Sequence, residues 1–263
     1  MKRCVFAALA ALMLFSAVEM AARTDRGRQM GPRESRAEGI GITFGYVNSS
    51  YKSTDWATDE VERAPALNGF TASLTKDFTL VRSVLYLQTG LGYVYQTRTR
   101  NSEAEFPGGL VRTKVIMDRT EHFMTLPVRL KYTLPLFGRI GVSVDAGPVF
   151  LAGLSSKMGA RMRVQDTGLL SSSYDLYSGK FKTSGVAEGM DAEQWLKTDG
   201  GIPEGRLKRF DVMLGASVGA DFFSLLEVRA GYDWGLVNKY RGDLAAENKM
   251  YRGQFTLSVG LRF

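Results

Sequence analysis

Tyr251-Arg-Gly-Gln-Phe-Thr-Leu-Ser-Val-Gly-Leu-Arg-Phe263, the last thirteen residues of this 263-residue chain, carries its strongest structural signal. Tyr251, Phe255, Leu257, Val259, Leu261 and Phe263 fall on one parity. Arg252, Gln254, Thr256, Ser258 and Arg262 fall on the other. Successive side chains of a strand point to opposite faces, so the segment has one apolar and one polar face. Its length suits a tilted strand crossing a bilayer, about 9–11 residues. Alternation alone is equally compatible with a soluble sandwich or a lipocalin-like carrier, so the rest of the chain has to separate these.

The N-terminus reads as an export signal. Lys2 and Arg3 precede an apolar run at 5–18, and the small residues Ala17, Ala21 and Ala22 follow. A basic start, a short apolar stretch and small residues make a secretory signal peptide, here placed at 1–22, and the run is too short for a comfortable transmembrane helix. The chain has one cysteine, Cys4, inside that leader. The exported part would then have no disulfide, no thiolate nucleophile and no cysteine metal ligand. No second apolar run approaches 18 residues, so membrane entry would require a closed barrel, the other structure that satisfies its backbone in lipid. The net charge is +7 for the whole chain. A basic surface can meet nucleic acid, anionic lipid or acidic polysaccharide, and export removes nucleic acid from that set. Residues 23–38 are charged and aperiodic and read as a flexible periplasmic lead-in to a barrel domain at 39–263.

Eight strand patterns are spaced along the chain, at about 39–47, 67–76, 84–97, 120–134, 139–153, 208–220, 226–237 and 251–263. Their connections alternate. Those at 77–83, 135–138 and 221–225 are short, and those at about 48–66, 98–119, 154–207 and 238–250 are long. Short turns at one end and long loops at the other are the habit of an up-and-down transmembrane β-barrel. The expected fold is all-β, an eight-stranded antiparallel barrel with short periplasmic turns and long extracellular loops. Tyr93, Tyr95, Tyr232, Trp234 and Tyr251 would form an aromatic girdle at the outer rim of the apolar face, with Tyr132 and Phe263 at the inner rim. The opposite parity is rich in Gly, Ser and Thr with a few charges. An eight-stranded barrel is just wide enough for side chains, so those charges must pair inside it. A turn centred on Phe137 would set Arg129 opposite Asp145, and Lys131, Glu227, Arg229 and Asp233 would complete a lumen network.

Five stretches carry a family resemblance: His122-Phe-Met-Thr-Leu-Pro-Val-Arg-Leu-Lys-Tyr132, Ala146-Gly-Pro-Val-Phe150, Arg209-Phe-Asp-Val-Met-Leu-Gly-Ala216, Arg229-Ala-Gly-Tyr-Asp-Trp-Gly-Leu236 and Leu257-Ser-Val-Gly-Leu-Arg-Phe263. Through them the chain resembles the eight-stranded, OmpA-like outer-membrane barrels widespread in Bacteroidetes, the group that includes PorT-like proteins. The resemblance implies an outer-membrane location and no shared catalytic residue. It also implies that Phe263 is the signal read by the barrel assembly machinery.

Candidate chemistry is sparse. His122 is the only histidine. A histidine base needs a nucleophile and an orienting carboxylate within reach, and His122 falls on the lipid-facing parity, so it reads as a rim residue facing headgroups. No zinc spacing, phosphate loop or dinucleotide glycine pattern is present, and no catalytic, cofactor-binding or metal residue is expected. The strand glycines Gly90, Gly92, Gly215 and Gly219 read as curvature and close packing. The long connection at 154–207 is the natural seat of any binding. Within it, Asp191-Ala-Glu-Gln-Trp-Leu-Lys197 has the pattern of a short helix capped by Asp191, with Trp195 free to fold onto the barrel mouth. The expected function is a non-enzymatic outer-membrane barrel with a structural or surface-binding role. Its expected partners are outer-membrane lipid, lipopolysaccharide, the assembly machinery during biogenesis and a possible further protein. A PorT-like accessory of secretion or transport, a small-solute porin and a soluble lipocalin-like carrier are the alternatives.

Overall fold

A sheet whose strands are apolar on one face and polar on the other has no core until it packs on something or closes on itself. In the computed structural model of this protein it closes. The structure describes residues 39–55, 61–81, 84–105, 112–135, 140–164, 167–185, 207–223, 225–242, 245 and 248–263, all within the unit Glu38–Phe263. The signal peptide and lead-in expected at 1–38 lie outside the described residues, as does the short helix expected at 191–197 with Trp195.

The described residues form ten strands: β1 (Ile40–Asp55), β2 (Val61–Val81), β3 (Leu85–Glu105), β4 (Arg112–Pro135), β5 (Ile140–Val164), β6 (Thr167–Asp175), β7 (Lys180–Gly185), β8 (Phe210–Phe222), β9 (Leu226–Gly235) and β10 (Asn248–Arg262). Every pairing is antiparallel. β1, β2, β3, β4, β5, β8, β9 and β10 follow one another round a ring that β10 closes against β1. This is the expected eight-stranded barrel. β6 and β7 lie outside the ring and continue the sheet from the upper half of β5.

The faces sort by polarity. Ile42, Phe44, Leu130, Val144, Leu214, Val218, Leu257, Val259 and Leu261 are exposed on the outside. Gln88, Arg129, Lys131, Ser143, Asp145, Glu227, Asp233, Arg252 and Gln254 are buried inside. A soluble carrier would carry the opposite assignment, with an apolar lumen. A soluble monomer also rarely exposes a contiguous apolar patch beyond about 300–600 Å². An apolar belt round a polar interior is the inside-out arrangement of a barrel in lipid.

Three of the expected long loops are shorter than the sequence pattern indicated. β1 and β2 extend into 48–66, β3 and β4 consume most of 98–119, and 154–207 contains the end of β5 together with β6 and β7. The reason is physical. Beyond the apolar belt neither face of a strand meets lipid, so the period-2 signature disappears while the hydrogen-bonded ladder continues. The upper parts of β3, β4 and β5 with β6 and β7 thus form a five-stranded sheet standing above the barrel. At the opposite end the connections are tight, and Phe223 in the β8–β9 turn adopts a left-handed conformation with φ 56°.

Candidate functional site

The lower lumen is a connected set of charges. Lys131, fully buried, reaches Glu227 at 2.9 Å and Asp77 at 3.6 Å. Arg262 contacts the same two carboxylates, each at 2.9 Å. Arg229 donates to Glu227 and to Gln88, both at 2.5 Å, and its Nε lies 3.5 Å from Asp145. Arg129 bridges Asp145, at 3.1 Å, and Asp233. Gln88 donates to Asp77 at 2.7 Å and Ser217 to Asp145 at 2.5 Å. Four cations thus meet four carboxylates contributed by five strands. The six lumen residues expected from parity are all here.

Two details differ from the sequence reading. The β4–β5 ladder pairs Lys131, not Arg129, with Asp145, so the turn centres one residue beyond Phe137; Arg129 reaches Asp145 along a diagonal. Asp77, expected in a turn, is a strand residue facing the lumen. Aspartate is depleted in strands, which is why the pattern assigned it to a connection, but a lumen wall supplies the partners that offset its burial. Gly215 makes room for the network. A Cβ there would overlap Asp233 Oδ1 and lie 2.6 Å from Arg129 Nη2.

Above this network lies a cavity of about 90 Å³, lined among others by Thr43, Thr71, Ser73, Thr125, Gln254 and Ser258. A water molecule's share of liquid volume is about 30 Å³, so the space suits a few waters bridging hydroxyls rather than a solute.

The upper lumen holds a second cluster, absent from the sequence reading. Glu121 accepts from Tyr51 at 2.6 Å, from Arg119 at 2.7 and 3.0 Å, from Arg252 at 2.6 Å and from Ser156 at 3.2 Å. Arg252 also donates to the Tyr51 hydroxyl, and its guanidinium lies 3.8 Å from the centre of the Phe123 ring. Stacking on aromatic faces gives a buried guanidinium the contact that solvent would otherwise supply. Around this cluster the inward residues turn apolar: Val47, Leu67, Val94, Phe123, Val149, Leu151, Met213 and Met250. Charges tied into the Glu121 centre thus sit inside a hydrophobic ring.

That ring is roofed by the β6–β7 connection. Leu176 and Tyr177 are almost fully buried among the lumen residues, together with Leu207. Asp175 builds the turn by accepting at 2.9 Å from the amides of Tyr177 and Ser178, and Gly179 closes it with φ 67°. Leu176 is fixed on both sides: its amide donates to Ser156 O at 2.9 Å and its carbonyl accepts from Leu207 N at 2.8 Å. Arg209 lies 5.3 Å from the centre of the Tyr177 ring. Gly153 leaves no room between β5 and Tyr177, since a Cβ there would collide with that ring. Burial pushes the Tyr177 hydroxyl well above its ordinary pKa, so it stays neutral.

On the outer face one ladder row contains Tyr46, Phe70, Tyr95 and His122. The next row up contains Asn48, Asn68, Thr97, Thr120 and Lys157. The change from rings to amides, hydroxyls and an amine within one step draws a sharp boundary. Tyr93, Tyr95, Tyr232, Trp234 and Tyr251 point outward near it, and Tyr132 and Phe263 point outward at the other end. From Ile40 to Asn48, β1 climbs about 20 Å for a tilt of about 40° and a rise of about 3.3 Å per residue, close to the ~25 Å apolar band of such barrels. His122 Nδ1 is 2.6 Å from the Tyr93 hydroxyl, and its ring packs edge-on to Tyr95 at 5.1 Å. Its surroundings are the Tyr93 and Tyr95 rings, and no carboxylate is paired to it among the described residues. Likewise no cluster of three or more His, Cys, Asp and Glu side chains among them could hold a metal ion.

A closed antiparallel barrel with charges inside, an apolar belt outside and aromatic rims is the architecture of an outer-membrane barrel protein. The chain belongs to the family described as the outer membrane protein beta-barrel domain, which matches residues 28–241. Among solved structures it is similar to Ail, the attachment invasion locus protein of Yersinia pestis, at 11% identity, covering 86% of this chain and 99% of that one with a TM-score of 0.33. It is also similar to Neisserial surface protein A, at 11% identity, covering 84% of this chain and 97% of that one with a TM-score of 0.32. No curated protein matches the sequence.

Proposed function

We propose that this protein is a non-enzymatic outer-membrane barrel with a sealed lumen, acting at the cell surface through the sheet formed by β3 to β7. The observation that carries the reading is the filling of the barrel. Paired charges occupy its lower part, and Leu176 and Tyr177 roof its upper part, so no open path favours solute transport. In this reading residues 1–22 are a cleaved signal peptide and 23–38 a periplasmic lead-in. The aromatic rows rest at the two headgroup levels, and Lys157 beside them meets lipopolysaccharide phosphates. Phe263 is the assembly signal.

Cysteine labelling on intact cells tests the orientation, since Cys4 is the chain's one cysteine. Ser171→Cys, exposed on the upper sheet, is expected to react with a membrane-impermeant maleimide. Phe223→Cys in the opposite turn is expected to react only after permeabilisation. The reverse pattern would overturn the reading, and stepwise conductance of the purified protein in a planar bilayer would replace it with a porin.

A PorT-like accessory role in secretion, in a Bacteroidetes-type cell, is the second reading. It rests on the stretches 122–132, 146–150, 209–216, 229–236 and 257–263, which run along the barrel strands. It expects a protein partner at the short-turn end and loss of secreted cargo when the chain is deleted. Unchanged secretion in the deletion strain would remove it.

A further inference from the structure

The sealed-barrel reading gives no task to the inner face of the upper sheet. Ladder pairing lays two rows across that face. One runs Arg98, Arg119, Met158, Tyr174, Phe181 from β3 to β7. The next row up runs Arg100, Met117, Ala160, Ser172. Directly paired residues share a face of the sheet, so each row starts on arginine and the pair continues into methionine, small and aromatic residues.

Ala160 and Ser172 are buried, and Met117, Met158, Tyr174 and Phe181 pack half-buried around Ala160. The Ser172 hydroxyl donates to Ala160 O at 3.3 Å, so it is engaged with the sheet backbone rather than left free on the platform. Arg119 is committed to Glu121. Arg98 and Arg100 enter none of the ion pairs of the described residues.

The geometry points to a binding platform for a single-chain anionic amphiphile, its head on Arg98 and Arg100 and its alkyl chain lying across Met117, Met158, Tyr174 and Phe181. Charge complementarity selects an anionic head. Three features select an alkyl chain over a peptide. The backbone groups of a sheet interior are already paired in the ladder, so a peptide's own amides would meet no partner on this face. Methionines conform to a flexible chain at little cost. The four strand spacings from β3 to β7, about 4.8 Å each, give a track of about 19 Å, the scale of a long acyl chain. The inference rests on the reading of the upper sheet as standing outside the membrane. The shared chemistry is an acidic head on one long chain, which a free fatty acid or a lysophospholipid would supply.

The full chain, held in amphipol so that no detergent competes, is titrated with dansyl-undecanoate and the emission followed. Saturable binding is expected, with displacement by palmitate and by lysophosphatidate, and at least tenfold weaker displacement by uncharged hexadecanol. The stronger of the two acidic competitors identifies the source. R98Q/R100Q is expected to weaken binding at least tenfold, and Met158→Gln to weaken it independently, both with unchanged heat-modifiable mobility. Non-saturable partitioning, equal displacement by hexadecanol, or a folded R98Q/R100Q variant that binds like the parent would overturn the inference. A protein labelled at Ser171→Cys on intact cells but indifferent to the probe sinks this inference alone; one that binds the probe but is not labelled sinks the surface reading.

Discussion

Gly215 faces the lumen from β8 because a larger residue would displace the Arg129–Asp233 pair. Gly215→Ala is therefore expected to destabilise the barrel, even though removing a glycine's freedom from the unfolded chain would by itself stabilise the fold by about 0.4–1 kcal/mol. Separating a buried pair leaves uncompensated charge, at a cost of about 3–5 kcal/mol. The urea midpoint for refolding into vesicles reads this out, and a shift no larger than that of a Gly→Ala change on the outer face would refute it. Phe223 gives the opposite case. Its left-handed backbone, φ 56°, costs a non-glycine residue roughly 1–2 kcal/mol, and its ring is exposed. Phe223→Asn is expected to raise the same midpoint modestly; a fall would mean that the ring's contact with the membrane rim outweighs the strain. Parity made Arg129, Lys131, Asp145, Glu227, Arg229 and Asp233 legible as lumen residues. Of their pairings, Arg129 with Asp145 was legible because one short turn joins their strands; Lys131 with Glu227, like Arg252 with Glu121, was not, because those strands are far apart in the chain and meet only across the closed barrel.

At the scale of elements, the barrel strands were readable and the sheet above them was not. Lipid on one side and a polar lumen on the other imprint alternation on β8, β9 and β10. In β6 and β7 both faces lie beyond the belt, and Ser171, Ser172 and Ser173 carry no such imprint. One signal was available: Asp175 and Gly179 bracket three residues with an aspartate that can cap a turn and a glycine that can close it. Between them sit Leu176 and Tyr177, whose burial fixes the β6–β7 hairpin to the barrel mouth. Gly153→Val is expected to push Tyr177 out of its seat, since even a Cβ at that position overlaps the ring. Limited proteolysis should then cut the segment 167–185 faster while the folded barrel keeps its mobility on an unboiled gel. Unchanged cleavage kinetics would show that the hairpin is held by Leu176 and its two backbone hydrogen bonds instead.

For the whole molecule, the controlling step is closure. β1 and β10 are the first and last strands among the described residues, and they pair from Gly41↔Arg262 to Asp55↔Asn248. Until that seam forms, neither the apolar belt nor the lumen charges have their final surroundings, so the most distant contacts in sequence complete the fold. Such non-local pairing carries a loop-closure entropy that the β1–β10 ladder must offset. Phe263 stands at its foot. The amide of Phe263 donates to Ile40 O at 3.0 Å, while its ring is 69% exposed. One backbone hydrogen bond contributes only about 0.5–1.5 kcal/mol net, and an exposed ring adds little packing. Removing Phe263 should therefore leave refolding of the purified chain nearly intact. If the terminal aromatic is what the assembly machinery reads, the same deletion should sharply reduce heat-modifiable barrel in outer-membrane fractions of cells. Parallel measurement of both quantities separates the two roles. Equal loss in vitro and in cells would make Phe263 a stability residue of the seam, and no loss in either would leave the signal to the apolar parity of β10.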